Sequence, residues 1–185
     1  MIRKLIDRIL NRKAPRAAVR GRPKSYPGSA HGVRIEDVSD AAMRTCRTLQ
    51  QAGFKAYVVG GGVRDLMLGL KPKDFDVATD ATPDQVRGLF RRSRIIGRRF
   101  QIVHVMFGRE TIEVSTFRAI QDEAETDEHG RVLRDNVWGT QAEDAARRDF
   151  TINALYYDPV ADTILDYHNG VRDLEHKTLR MIGDP

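Results

Sequence analysis

Short apolar segments of two different periodicities alternate along most of this chain, and this alternation is the feature that most constrains its fold. Segments such as 55–59 (KAYVV) and 111–117 (TIEVSTF) are rich in β-branched and aromatic residues, which predicts strands. Between such segments, apolar residues recur every three or four positions, which predicts amphipathic helices. One helical set consists of Val38, Ala42, Cys46 and Leu49, and either Asp37 or Ser39 is predicted to cap its helix. The order of these segments predicts an α+β or α/β domain in which helices pack on a short sheet.

Capping and turn residues mark where these elements begin and end. Thr82 precedes a proline and is predicted to cap a helix. Thr140 and Glu143 have the spacing of a capping box, which predicts a second helix start. The segments 108–110 and 159–162 carry turn residues between strand candidates. We therefore expect two β-hairpins at these turns.

Positive charge is concentrated at the amino terminus. The chain has a formal net charge of +5, yet its first 36 residues hold ten Lys or Arg and only two Asp or Glu residues. We therefore divide it into a flexible basic arm, 1–35, and a folded domain, 36–185. Three interpretations of the arm stay open: an RNA-binding arm with Arg12 and Lys13 as contacts, a solvated helix without a partner, and an organelle-targeting peptide.

Composition excludes two other classes of protein. The apolar runs are much shorter than the roughly 18 residues that a membrane-spanning helix needs, so we expect no membrane partner. The single cysteine, Cys46, cannot form an internal disulfide or a cysteine-rich zinc site. This pattern is typical of a reducing compartment and predicts a cytoplasmic protein.

Three acidic residues form a candidate metal site. Asp74 and Asp76 are two positions apart in a predicted strand, so both side chains would project from the same face. Paired carboxylates repel each other unless a cation lies between them, and Mg²⁺ prefers such oxygen ligands. Glu113 lies opposite the apolar face of a further strand and is a candidate third ligand. The alternative for each is an ordinary solvent-facing carboxylate.

Two polar neighbours of Glu113 are given other interpretations. Arg118 lies five positions further on, so an unbroken strand would send the two side chains to opposite faces, and we assign Arg118 no role. His104 lies within an apolar strand and is predicted to be a hydrogen-bonded core residue. The five histidines of the chain show no metal-ligand spacing such as HExxH.

A run of three glycines follows the first predicted strand and precedes a helix. Gly60, Gly61 and Gly62 would let the backbone approach phosphates closely. Arg64, just inside the helix, is a candidate triphosphate ligand, with an ordinary surface arginine as the alternative. The dinucleotide-binding motif GxGxxG fails because Asp65 stands where a glycine is required, and the P-loop motif does not occur.

Four motifs resemble the head of the class II nucleotidyltransferases, the family of bacterial poly(A) polymerases and tRNA CCA-adding enzymes. They are VVGGGVRD, KPKDFDV, IEVSTFR and EDAARRDFTINAL, and the resemblance extends from His31 to Pro185. The segment IGRRF, with His104 and Val105 after it, is closer to the poly(A) polymerase branch. The resemblance implies a polymerase-β-like head with helices on a short mixed sheet.

The resemblance also implies roles for individual residues. Asp74, Asp76 and Glu113 match the acidic residues that hold two Mg²⁺ ions, and Gly60, Gly61 and Arg64 match the triphosphate loop. The residues matching the motif that holds the nucleotide and selects ribose are Arg147, Arg148, Asp149 and Asn153. Apart from the resemblance, Arg98 and Arg99, after the arginine-rich run 91–94, are further candidate RNA contacts, with ordinary surface arginines as the alternative.

The implied reaction is attack of an RNA 3′-hydroxyl on the α-phosphate of ATP, with release of pyrophosphate. The alternative within the family is CCA addition to tRNA 3′ ends, and the alternative of another class is a non-catalytic RNA-binding module. In the family, a helical EDxxR element follows the tripeptide Gly-Asp-Pro and recognises the base of the incoming nucleotide. This sequence ends with that tripeptide, at Pro185. We therefore expect the head by itself to be weakly active or inactive.

Overall fold

One mixed β-sheet organises the described part of the chain. The computed structural model describes residues 21–98, 100–120 and 138–183. The sheet has eight strands in the order β1-β8-β7-β2-β3-β6-β5-β4. The strands are β1 Lys24–Pro27, β2 Ala56–Val59, β3 Asp76–Thr79, β4 Ser93–Ile96, β5 Ile102–Phe107, β6 Glu110–Thr116, β7 Leu155–Asp158 and β8 Thr163–Asp166.

Within the described residues, six helices and two 3-10 turns lie between or after these strands. The helices are α1 Gly28–His31, α2 Asp40–Gln51, α3 Gly61–Met67, α4 Pro83–Leu89, α5 Gln141–Ala146 and α6 Gly170–Glu175, and the 3-10 turns are Ile35–Asp37 and Thr151–Asn153. None of the helices in this described part is long and apolar enough to cross a membrane. Strands and helices in this order confirm the predicted α+β class with a mixed sheet.

The predicted helix starts and hairpins are confirmed. The Ser39 hydroxyl accepts a hydrogen bond from the amide of Ala42 at 3.1 Å and caps α2. Thr82 caps α4 and Thr140 caps α5, each through a capping box. The strands β5 and β6 form one antiparallel hairpin, and β7 and β8 form the other.

Pairing of β3 with β6 is the parallel contact in this sheet, and it places Asp76 beside Glu113. The other six neighbouring strand pairs among the described residues are antiparallel. The strands β2 and β7 continue the sheet on the other side of β3. The middle of the sheet therefore brings together segments that are far apart in sequence.

Apolar side chains cover the two faces of the sheet unequally. The larger core packs α2, α3 and α4 against one face and contains Cys46, which is completely buried. Burial raises the pKa of the Cys46 thiol. A smaller cluster on the other face joins Phe117 and Tyr156 with Ala145 of α5. The site described below borders this smaller cluster.

The folded domain begins earlier than the predicted boundary at residue 36. β1 pairs with β8 in antiparallel register, with Lys24 opposite Asp166. His31 is 5% exposed, and its Nδ1 accepts a hydrogen bond from the amide of Val33. The part of the predicted flexible arm from Lys24 onward is therefore folded. The pairing uses main-chain groups, which leave little trace in the side-chain pattern.

A buried aspartate and a buried glycine attach α6 to the turn that carries part of the site. Asp166 is 2% exposed, and its carboxylate accepts hydrogen bonds from the amides of Gly170 and Val171, both at 3.0 Å. A Cβ atom added at Gly170 would clash with the carbonyl group of Thr151. Glycine at this position therefore permits close packing of α6 on the 3-10 turn.

We predict opposite effects for two glycine-to-alanine substitutions in helices. Gly170→Ala should lower the free energy of unfolding by about 1–3 kcal/mol, because its Cβ meets backbone that cannot rotate away. Gly88→Ala in α4 should raise the free energy of unfolding by about 0.4–1 kcal/mol. The added Cβ meets open space in the folded protein, and alanine lowers the conformational entropy of the unfolded chain. Urea unfolding measures both changes, and equal effects would contradict the packing at Gly170.

Candidate active site

Two carboxylates from neighbouring parallel strands face one cavity. Asp76 opens β3 and is in register with Glu113 of β6. Residues paired in this way project their side chains from the same face of the sheet. Both line a cavity of about 240 Å³, and both are exposed at its rim. The predicted convergence of these two acids is therefore present.

Like charges raise the affinity of Asp76 for a proton. The pKa of Asp76 lies above its ordinary value because nearby protein atoms desolvate the carboxylate and because Glu113 and Asp74 repel its negative charge. Arg148 acts in the opposite direction and reduces the shift. A bound cation would relieve this repulsion.

Asp74 is close to this pair but differs from the prediction in its setting. The strand begins at Asp76, so Asp74 lies in the preceding loop and does not share a strand face with it. Asp74 is exposed and does not line the cavity. Within residues 21–98, 100–120 and 138–183, no three His, Cys, Asp or Glu side chains form a ready-made metal-binding group.

The glycine run borders the acidic pair directly. Gly60 follows β2 and has φ 71°, a conformation in which a side chain would be strained. A Cβ atom there would lie 3.6 Å from Nη1 of Arg148 and 4.0 Å from Oδ2 of Asp76. Gly61 is equally close to Arg64, since its Cβ would lie 3.4 Å from Nη2. The backbone of Gly60 is therefore packed against Arg148 and Asp76, although Gly60 itself is buried and does not line the cavity.

A hydrogen-bonded chain links α3 to the turn Thr151–Asn153. The Arg64 guanidinium donates to Oδ1 of Asp65 from both Nε and Nη2, at 2.9 and 2.8 Å. Its Nη1 donates to Oδ1 of Asn153 at 3.0 Å, and Nδ2 of Asn153 donates to Oδ1 of Asp149 at 3.2 Å. Arg64, Asp149 and Asn153, which the resemblance assigned to nucleotide binding, are thus brought together. Asp65, which the sequence analysis assigned no function, orients Arg64.

Asp144 organises the arginines at the opposite wall of the cavity. It is 1% exposed, and its Oδ2 accepts hydrogen bonds from Nη2 of Arg148 at 3.2 Å and from the hydroxyl of Tyr156 at 2.7 Å. Its Oδ1 accepts from Nε of Arg147 and from the backbone amide of Arg118, at 3.3 and 3.2 Å. Four donors thus converge on one buried carboxylate. The sequence analysis did not single out Asp144 or Tyr156, although the spacing of Asp144 from Arg147 and Arg148 suits ion pairs on a helix.

The pKa of Asp144 shows that these partners outweigh its burial. Burial favours the neutral acid, but the charge of Arg148, the hydrogen bonds from Tyr156 and from the Arg118 amide, and the charge of Arg147 lower the pKa below its ordinary value. Arg148 also packs over the Tyr156 ring, with 5.3 Å between Cζ and the ring centroid. Ion pairs with Asp144 therefore hold Arg147 and Arg148 at this wall of the cavity, and packing on Tyr156 also holds Arg148.

Arg118 lies in the cavity, and the sequence-based assignment of no role to it rested on wrong geometry. β6 ends at Thr116, so the alternation of faces does not continue as far as Arg118. Arg118 lines the cavity with Glu113, and its Cζ lies 4.9 Å from the centroid of the Phe100 ring. Its pKa is lowered by desolvation and by repulsion from Arg147.

His104 is likewise on the site face, so its assignment to the core is wrong. Its side chain is 32% exposed, and its Nε2 lies 3.3 Å from Oε1 of Glu113. The neighbouring residues of β5, Val103 and Val105, are each 1% exposed and take the core positions. The apolar appearance of the segment comes from these alternating residues and concealed the polar face.

Of the four predicted RNA contacts, one, Arg98, lies within the described residues. Arg98 is exposed after β4 and does not line the cavity. Arg12, Lys13 and Arg99 lie outside the described residues.

The site as a whole opposes a carboxylate pair to three arginines across a small cavity. Asp76 and Glu113 form one side, and Arg118, Arg147 and Arg148 form the other. Carboxylates attract a divalent cation, and guanidinium groups bind phosphate oxygens. The arrangement therefore suits a phosphate ester that carries a metal ion.

The chain is similar to a known protein family. Residues 56–180 match the family model of the poly A polymerase head domain. The chain is 49% identical over 180 residues to poly(A) polymerase I of Salmonella typhi, across 94% of this chain and 39% of that protein. It is 43% identical over 152 residues to the CCA-adding enzyme of Lactobacillus helveticus, across 82% of this chain and 37% of that enzyme.

A solved structure shares the fold. The crystal structure of the Bacillus stearothermophilus CCA-adding enzyme in complex with CTP aligns with a TM-score of 0.62 at 34% identity, and the match covers 77% of this chain and 33% of that one. The chain thus spans about two fifths or less of the length of these relatives.

We predict that the Asp144 network contributes strongly to stability. Asp144→Asn should lower the free energy of unfolding by about 2–3 kcal/mol, because it leaves the charge of Arg148 without its buried partner. Tyr156→Phe should cost about 1–3 kcal/mol, because the hydroxyl donates a hydrogen bond to Asp144 and accepts one from Nε of Arg148. Urea unfolding measures both, with Glu36→Gln, an exposed change, as the control expected within about 0.5 kcal/mol of wild type.

The pH dependence of these variants provides a second check. Because the pKa of Asp144 is lowered in the folded state from its ordinary 3.8, its ionised form stabilises the protein fully above that value. This contribution is lost as the pH falls through the lowered pKa. The gap between wild type and Asp144→Asn should therefore narrow in acid, and a gap that widened below pH 3.8 would contradict the assignment.

Proposed function

The chain belongs to the poly A polymerase head-domain family of nucleotidyltransferases, and we propose that it transfers AMP from ATP to RNA 3′ ends. The observation that carries this proposal is the Asp76–Glu113 pair, which faces three arginines beside the glycine run. Nucleotidyl transfer needs this combination, because a polyphosphate must be held while negative charge develops on its oxygens.

Mg²⁺ is the cation that we propose for the carboxylate side. The donor set fits: Asp76 and Glu113 supply adjacent oxygens, and Asp74 is near enough to raise the pKa of Asp76. Mg²⁺ is commonly held by one or two carboxylates together with substrate phosphates, so a complete protein cage is not required. Two ions, when bound, would increase the nucleophilicity of the 3′-hydroxyl and neutralise charge on the leaving pyrophosphate.

The arginines would bind and orient the triphosphate. Arg64 uses three of its N–H groups on Asp65 and Asn153, which leaves two of the five guanidinium donors for a phosphate. Arg148 lies beside the Gly60 backbone and is held by Asp144, so it is positioned before a nucleotide arrives. A donor that is already oriented loses little entropy on binding.

The turn beyond α5 would hold the ribose. Asp149 and Asn153 are exposed or half-buried and hydrogen-bonded to each other, and Asn153 also bonds to Arg64. A carboxylate and an amide can together accept from and donate to sugar hydroxyl groups. We propose that these two residues distinguish ribose from deoxyribose.

CCA addition to tRNA is the second candidate. The chain is 43% identical to a CCA-adding enzyme, and the related solved structure is that of a CCA-adding enzyme in complex with CTP. The higher identity, 49%, is to a poly(A) polymerase I, which favours AMP transfer.

We predict that transfer depends on Asp76. In a protein in which this head is followed by the family's neck and body, Asp76→Asn should reduce incorporation of labelled AMP into an RNA primer by about a thousandfold, roughly 4 kcal/mol, because the metal ligand loses its charge. The same variant should abolish the tightening of ATP binding by Mg²⁺, measured by calorimetry with and without a chelator. Asp84→Asn, an exposed aspartate at the start of α4, is the matched control and should behave as wild type.

The results can contradict this proposal in two ways. Undiminished AMP transfer by Asp76→Asn would remove Asp76 from the chemistry. Absence of both transfer and Mg²⁺-dependent ATP binding in the wild-type chain would favour a non-catalytic RNA-binding module.

We also predict nucleotide and acceptor preference. With a mixture of ATP and CTP, a protein in which this head is followed by the family's neck and body should add long adenosine tails to an unstructured RNA and incorporate little cytidine. Sequencing of the extended 3′ ends measures this outcome. Addition that occurs on a tRNA lacking its 3′ end and halts after CCA would instead establish the second candidate.

A further inference from the structure

A second concave surface lies on the other face of the sheet. Arg44 of α2 and Arg91 and Arg92 after α4 line it, together with the apolar residues Leu89, Met106 and Phe107. We call this surface the arginine groove. Its volume is about 590 Å³, more than twice that of the cavity at Asp76.

The arginine groove and the active site lie on opposite faces of the sheet, as the alternating side chains of β5 show. His104 faces Glu113 on the site side, whereas Val105 lines the groove. Successive residues of a strand project to opposite faces. A ligand in the groove would therefore be a different ligand, or a different part of a long one, from the nucleotide proposed above.

The charge of the groove is uncompensated in the described structure. Arg44, Arg91 and Arg92 are exposed, and none of them takes part in an ion pair among the described residues. No carboxylate stands among the described residues that line the groove. The guanidinium of Arg44 lies 5.1 Å from the centroid of the Phe107 ring, which holds one cation over the apolar floor.

The apolar floor is accessible as well. Leu89 is 37% exposed, and Phe107, which shares the face of Val105, is half-buried. Guanidinium groups at a rim bind phosphates, and an apolar floor between them provides a surface on which bases can stack. A folded protein with an acidic surface would form ion pairs with the arginines but would not cover the apolar floor between them.

We propose that the arginine groove binds a single-stranded segment of RNA. The inference rests on the proposed function, since it assigns to the groove an upstream part of the RNA whose 3′ end is extended at Asp76. Binding there would favour long acceptors over short ones, because a short acceptor fills the active site without reaching the opposite face of the sheet.

The test compares two double variants that remove the same charge. Arg91→Gln/Arg92→Gln alters the groove, and Arg172→Gln/Lys177→Gln alters exposed residues of α6 and the turn after it, which do not line the groove. Fluorescence anisotropy with a labelled oligoadenylate of roughly 30 nucleotides measures the dissociation constant over a range of salt concentrations, and one of roughly 6 nucleotides serves as the short acceptor. Urea unfolding confirms that both variants are folded.

We expect the groove variant to weaken binding of the long RNA by about tenfold and to lower the salt slope by about two, one for each phosphate contact removed. The control variant should change binding by less than about twofold, and binding of the short RNA should be unchanged in both. Equal losses in the two variants would overturn the proposal, because they would reflect net charge alone. Stronger competition by polyglutamate than by oligoadenylate would also overturn it and would assign the groove to an acidic polypeptide.

Failure of the groove and failure of the active site are distinguishable. Mg²⁺-dependent ATP binding should be the same in the groove variant and in wild type, since no groove residue lines the cavity at Asp76. Absence of Mg²⁺-dependent ATP binding in the wild-type chain would count against the proposed function. Loss of long-RNA binding in the groove variant alone would support the groove.

Discussion

The buried carboxylate of Asp144 is the interaction on which the rest of the site depends. It joins three parts of the fold: helix α5, which carries it, strand β7 through Tyr156, and the chain after β6 through the amide of Arg118. The same carboxylate holds Arg147 and Arg148. A buried charge is tolerated only when several donors surround it, so the need to satisfy Asp144 also places the arginines.

The acidic pair and the arginines on opposite sides of the cavity favour the same kind of ligand. Desolvation of its carboxylate, together with repulsion from Glu113 and Asp74, raises the pKa of Asp76. Arg118 and Arg147 repel each other in the same way, and this lowers the pKa of Arg118. A metal-bound phosphate would relieve both repulsions at once, because it brings positive charge to the acids and negative charge to the arginines.

The two faces of the sheet divide the proposed work of the protein. On one face, the parallel pair β3 and β6 carries the reactive acids. On the other, α2 and α4 cover the core and leave the arginine groove beside β5. Because one strand contributes to both faces, β5 connects the two surfaces through a single layer of backbone. A long RNA bound at both would pass around the edge of the sheet.

Local features of the sequence determined the elements and marked candidate site residues, whereas the tertiary structure decided how polar side chains meet. Caps at Ser39, Thr82 and Thr140, both hairpins and the pairing of Asp76 with Glu113 followed from spacing, turn chemistry and motif resemblance. Other features depended on contacts distant in sequence: β1 pairs through its main chain, His104 faces Glu113 across two strands, and Arg118 enters the cavity because β6 stops at Thr116. Asp144 belongs to this second group as well. In the sequence, a buried aspartate on a helix cannot be distinguished from a solvent-exposed one, because its burial depends on contacts with the arginines and Tyr156. Propensity and periodicity act over a few residues, but burial of charge and the end of a strand are set by packing between distant segments.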